Sequence, residues 1–178
     1  EEDAQGYESV FEHYASSGDN FLGGENLLEH LVYETFKHNL PVLRENKIQF
    51  TKPMDALGFP GSEPFLAPTQ AAQTNVVILS AKLRPFLESA VPKLASQLKL
   101  DLINSAGEKV TCELALDVAA LDELLQQRIY TGFKSFLYEL KKVLLEFPVA
   151  SEIQLLLAGN GSRSRHVEAL FIENSNDG

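Results

Sequence analysis

Leu27, Leu28, Leu31, Val32 and Phe36 recur at three- and four-residue intervals, the spacing that gathers side chains on one face of an α-helix. Glu25 and Asn26 precede this stripe, where a helix start favours an acid and a capping side chain. Upstream, "GYESVFEHYA" (6–15) is aromatic and partly alternating, which predicts a strand. The character changes between Pro41 and Pro68. Pro41, Pro53, Pro60, Pro64 and Pro68 fall there with Gly58 and Gly61, and repeated prolines deny both helix interior and central strand. An irregular, exposed segment is expected. "AAQTNVVILSAKLRPFLES" (71–89) then predicts a helix that Pro85 kinks or ends.

Strict alternation follows. Leu98, Leu100 and Leu102 alternate with Lys99 and Asp101, "NSAG" makes a turn, and Val110, Cys112, Leu114, Leu116 and Val118 alternate with polar residues. This predicts an antiparallel hairpin with one buried face. Cys112 lies on the apolar register, which makes it a packed thiol rather than a nucleophile. From 119 to 147 an apolar stripe runs through Leu121, Leu124, Leu125, Ile129, Phe133, Phe136, Leu137, Leu140, Leu144 and Phe147, a long amphipathic helix or a helix pair. Gly132 interrupts it, and a bend is expected there. Pro148 stops it, and "SEIQLLLAG" (151–159) reads as a buried strand. A glycine turn and a helix start in "NGSRSRHV" come next. The element order predicts an α/β plan interrupted by an inserted α+β lobe.

Composition narrows the function classes. Hydrophobic residues make up 44% of the 178, so the chain is globular. A formal charge of −10 disfavours nucleic-acid backbones and anionic membranes as partners. With Cys112 alone, no intrachain disulfide and no zinc site of the CxxC type can form, which fits a reducing compartment. No apolar run approaches the roughly 18 residues of a membrane span. The acidic, polar start does not read as a signal peptide. A cytoplasmic location is expected. His13, His30, His38 and His166 lack metal-ligand spacing, so surface or capping roles and no metal site are expected.

Two strand–glycine–helix turns bracket the chain, and a glycine turn at a helix start can offer backbone N–H groups to a phosphate. "YASSGDNFLGGENLLEHLVYETF" resembles the second phosphate-binding segment of DnaK-type heat-shock chaperones, roughly A-G-D-T-x-L-G-G-E-D-F. "EIQLLLAGNGSRSRHVEALF" resembles their adenosine segment, roughly I-x-L-V-G-G-S-T-R-I-P-x-V-x-x-L. The hairpin and long helix fall between the two in the family's order. The resemblance is to the actin-like ATPase superfamily, nearest the DnaK-type nucleotide-binding domain. It covers nearly the whole chain in element order and about 40 residues as motifs.

That resemblance implies a partial actin-like (ribonuclease H-like) second lobe. A partial lower subdomain would span 1–39 and 130–178, with an inserted upper subdomain at 40–129. It implies a catalytic role for Asp19, near the metal and attacking water, and nucleotide binding by Gly23, Gly24, Gly159 and Arg163. ATP or ADP with magnesium would be the cofactor of the intact parent, with none tightly bound by this piece. The partners would be the remaining half of the ATPase domain and a protein partner or client. The family's first phosphate loop, catalytic lysine and glutamate have no counterpart here, so the isolated chain is expected to lack ATPase activity. The sequence also departs from the family. Asn26 stands for the aspartate after G-G-E, Asn160 for the second glycine of G-G, and Arg165 for the proline. Lys82 and Arg84 give no register with the adenine-facing helix pattern. Plain alternatives stand beside these roles: Asp19 as a turn cap, Gly23–Gly24 as a tight turn, Arg163 as a solvated charge. Two other function classes also stand, a degenerate fold used as a protein-interaction scaffold and a lobe of a superfamily small-molecule kinase.

Overall fold

Apolar spacing and helix formation coincide over Gly24–His38, where helix α1 buries Leu27, Leu28, Leu31, Val32 and Phe36 as its periodicity predicts. The computed structural model describes residues 13, 19, 21–89, 93–146 and 154–175. The strand predicted at 6–15 lies outside the described residues, His13 excepted. After α1 come α2 (Leu40–Glu45), α3 (Gln70–Glu88), strands β1 (Gln97–Ile103) and β2 (Lys109–Ala115), and α4 (Val118–Glu146). A 3-10 turn (Asn160–Arg163) and α5 (Arg165–Ser175) close the order. Among the described residues, helices and one two-stranded antiparallel sheet make a mixed helix-and-strand fold, compatible with the α+β type.

The hairpin forms in the expected register. Leu100 faces Cys112 and Leu98 faces Leu114 across the ladder, and Leu100, Leu102, Cys112 and Leu114 are buried on one face. Cys112 is a buried, packed thiol, and burial raises its pKa. Leu116 is buried just beyond the strand, and Val118 already begins α4.

Three expectations need correction. The 41–68 segment is neither wholly irregular nor exposed. Pro41 sits in the first turn of α2, where its missing N–H costs nothing, and Leu43, Ile48, Phe50 and Phe65 are buried. Phe36 of α1 anchors them, 5.8 Å from the Phe50 ring centroid and 6.3 Å from that of Phe65. Pro85 does not end α3, which runs on to Glu88 from a Thr69 cap that accepts the Ala72 N–H. The third concerns residues 154–158. They form no strand, and Leu155, Leu156 and Leu157 are exposed. A buried strand needs a ladder neighbour, and among the described residues none pairs with this one.

Two buried asparagines join helices to the sheet. Asn75 of α3 accepts the Ile103 N–H at 2.7 Å and donates to the Ile103 and Gln49 carbonyls. Asn39, after α1, accepts the Ala115 N–H and donates to its carbonyl, each at 2.8 Å. Each supplies an outer strand with the partners a missing neighbour would have supplied. Helix α4 continues unbroken through Gly132 and packs on α1 and α5.

Candidate functional site

Helix α1 starts from a glycine that leaves its end open. Gly23 is extended, with φ −62° and ψ 150°, and offers no side chain to cap the first-turn amides. The turn at the other end of the sequence lies against it. A side-chain carbon placed on Gly161 would sit 3.7 Å from the Gly24 amide nitrogen and 3.9 Å from the Leu22 carbonyl oxygen. The 3-10 turn reaches this place because Gly159, at φ 88°, turns the chain through the left-handed region that side chains disfavour.

The five residues singled out from the sequence divide by environment. Gly24 stands at the contact between the turns, and Gly23 and Gly159 are exposed beside it. Asp19 accepts the Phe21 N–H at 2.8 Å on its carboxylate and the Leu22 N–H on its carbonyl, so it shapes the turn ahead of Gly23. Its side chain borders a cleft of about 360 Å³ with Asp55, Gln127, Arg128 and Thr131. The Arg163 side chain is exposed and makes no hydrogen bond or ion pair with another described residue.

Other arginines crowd the two turns. Arg84 of α3 donates through both terminal nitrogens to the Glu25 carboxylate, at 2.8 and 2.9 Å, and through Nη1 to Glu88 at 3.1 Å. Because Glu25 follows Gly24, this fork places a guanidinium beside the glycine turn. Its hydrogen bonds lower the Glu25 pKa, against a smaller opposing effect of burial. Arg165, where the family has proline, lies over the Phe86 ring at 5.1 Å and donates to Asp122, which also bonds His166 at 2.7 Å. Arg165 therefore ties α5 to α3 and α4. The histidines divide likewise: His13 and His38 are exposed, whereas His30 and His166 each face an aspartate.

Sequence reasoning missed the densest polar cluster. Asp55, from the proline-rich segment, enters between α1 and α4. Its carboxylate accepts from Asn26 Nδ2 at 3.2 Å, His30 Nε2 at 2.8 Å and Arg128 Nη2 at 2.6 Å. An ionised carboxylate only accepts, so Nε2 carries the His30 proton. Burial works to raise the Asp55 pKa, but the three hydrogen bonds outweigh it and hold the group well below the usual carboxylate range. Arg128 Nη2 also donates to Asn26 Oδ1 at 3.1 Å and to the Phe21 carbonyl at 2.8 Å. Asn26 thus lies between a carboxylate and a guanidinium, each meeting the matching end of its amide. The one signal in the sequence was Asn26 itself, a departure from the motif around it. Its cause lay 29 and 102 residues away.

No family model matches the sequence, and comparison with curated proteins and with solved structures returns no match. Among the described residues no group of three or more His, Cys, Asp or Glu is placed to hold a metal ion, and no helix is long and apolar enough to cross a membrane.

Proposed function

We propose that the chain forms one wall of a nucleotide cleft in a DnaK-like, actin-like ATPase, with Gly23–Gly24 on the phosphate side and Gly159–Arg163 on the nucleoside side. The observation that carries this reading is the close approach of two glycine turns separated by most of the sequence, near enough that a side-chain carbon on Gly161 would touch the Gly24 backbone. Their residue types suit it. An uncapped helix start presents N–H groups to an anion, and glycine lets oxygen atoms approach the backbone. Arg84 stands beside the phosphate-side turn, and Arg163 is free to lie against a base. Asp19 is the carboxylate this reading places near magnesium and the attacking water. Bound magnesium would neutralise phosphate charge. The chain's own side chains offer that ion Asp19 and no three-ligand set among the described residues. The reading carries with it a cytoplasmic location and a complementary half that closes the cleft.

Nuclear magnetic resonance titration with magnesium ATP tests it. One loop and one guanidinium supply about 1–2 kcal/mol each, against about 4 kcal/mol for millimolar binding. Fast-exchange shifts confined to the amides of Gly23, Gly24, Gly159 and Arg163 are expected at millimolar nucleotide. Shifts absent there, or spread evenly over the surface, would remove the reading.

A second reading, a protein-interaction scaffold on the same fold, draws on a different observation. Phe133, Phe136, Leu155, Leu157, Leu170 and Phe171 line an apolar groove of about 320 Å³. Leu156, which also lines it, is 95% exposed.

A further inference from the structure

The proline-rich segment is tied at its base and at its tip. At the base, Phe50 N–H donates to the Phe65 carbonyl and Ala67 N–H to the Phe50 carbonyl, closing residues 51–66 into an arm. Near the tip, Lys52 Nζ donates to the Ala56 carbonyl at 2.7 Å and Tyr33 Oη of α1 to the Leu57 carbonyl at 2.9 Å. Between these contacts Asp55 turns inward, while its neighbours Met54 and Leu57 are each 88% exposed. The arm has two apolar side chains in solvent, and it is held to the helices by Tyr33 Oη, by the Phe59 and Phe65 rings and by the Asp55 carboxylate, of which the carboxylate is the contact that reaches Arg128.

The inward contacts lead to the glycine turn. Asp55 Oδ2 takes one N–H direction of Arg128 Nη2, and the same nitrogen reaches the Phe21 carbonyl and Asn26 Oδ1. Phe21 lies two residues before Gly23, and Asn26 lies in the first turn of α1. One guanidinium nitrogen therefore bridges the chain on both sides of Gly23–Gly24. Arg128 could leave that position by several rotamers, since four side-chain torsions separate it from the α4 backbone. The Asp55 carboxylate selects one of them. Among the described residues Arg128 Nε is buried without an acceptor, a cost that the contacts of Nη2 offset.

We propose that Asp55 is a positioning residue for the glycine turn. The 51–66 arm is a strap that sets the conformation of residues 21–26 through Arg128, so a displacement of the arm's exposed edge is transmitted to the helix start. The relevance to nucleotide rests on the reading above. The positional claim does not, and its test uses no nucleotide. Native-state hydrogen exchange is compared in the unmodified chain and in Asp55→Asn, which keeps the size of the side chain and removes its charge. The Phe21 and Leu22 amides, which bond Asp19 in the turn, are expected to exchange at least about tenfold faster, equivalent to about 1.4 kcal/mol of local opening. The hairpin amides of Leu100 and Leu114 should not change. Should Asp55→Asn fail to fold, Arg128→Lys replaces it, because an ammonium keeps the charge without the planar fork. The same local loss is expected there. Turn amides that keep their protection in a folded variant overturn the proposal. So does an equal acceleration at every amide, since that would make the network a general brace.

Discussion

Asn26 shows how one amide can be required where a relative carries an acid. Its oxygen faces Arg128 and its nitrogen faces Asp55, so an aspartate there would set a second carboxylate against the first. Two carboxylates at one site cannot both ionise freely, and one of them has its pKa raised. We expect Asn26→Asp to destabilise the fold by about 1.4 kcal/mol at neutral pH, the equivalent of one unit of such a shift. The sign follows from linkage. A carboxyl whose folded pKa lies above its unfolded value destabilises at high pH, and the penalty fades as pH falls below about 4. Asp55 runs the other way. Its folded pKa is lowered, so its contribution is full above about pH 4 and is lost on further acidification. The stability gap between the two proteins should therefore narrow from pH 7 to pH 3 in urea titrations. A gap independent of pH would mean that residue 26 does not share the Asp55 site.

At the scale of elements, local patterns were legible and long-range ones were not. The stripe of α1 and the alternation of the hairpin named their buried residues because periodicity reports a face directly, whereas the α4 stripe is buried only through Leu121, Leu125, Ile129 and Phe133, with Phe136 exposed. Prolines misled at 41–68, since they exclude regular ladders but not burial. Phe50 and Phe65 show that a proline-rich stretch can line a core if its aromatics face α1. The leucines at 155–157 misled in the opposite sense. A run of apolar residues marks a buried strand only when something lies beside it. Of the site, the two glycine turns were visible as motifs, but the Asp55, His30 and Arg128 constellation had no local signature. Gly132 interrupts the α4 stripe, and in the structure it allows a close contact. A side-chain carbon there would fall 1.9 Å from Leu22 Cδ2, so the glycine lets the segment before α1 lie on α4. Gly132→Ala should gain up to about 1 kcal/mol of helix propensity and give part of it back by displacing Leu22. The expected outcome is a melting temperature changed by only a few degrees, with resonances of Leu22 and Gly23 clearly shifted. Unmoved Leu22 signals would show that α4 itself yields instead.

Over the whole molecule, burial is uneven. The core around Phe36, Leu43, Leu79, Leu83, Leu102 and Leu114 is closed, whereas the side formed by residues 155–157, Phe136 and Ile172 is open. Leu156 is 95% exposed and Leu157 54% exposed, on backbone that no described residue pairs. Exposed apolar side chains on backbone without a ladder partner among the described residues invite another chain by burial. In solution this face should make the chain self-associate and bind hydrophobic dyes. Leu156→Lys places a charge where the leucine is almost wholly exposed, so its effect on stability should be within about 0.5 kcal/mol of neutral, as for other surface positions. Dye fluorescence and the weight-average mass in sedimentation velocity should both fall in that variant. If they stay at the level of the unmodified chain while the fold is intact, the open side is not the adhesive one. The exposed edge of the arm, Met54 and Leu57, would then be the next surface to test by the same two measurements.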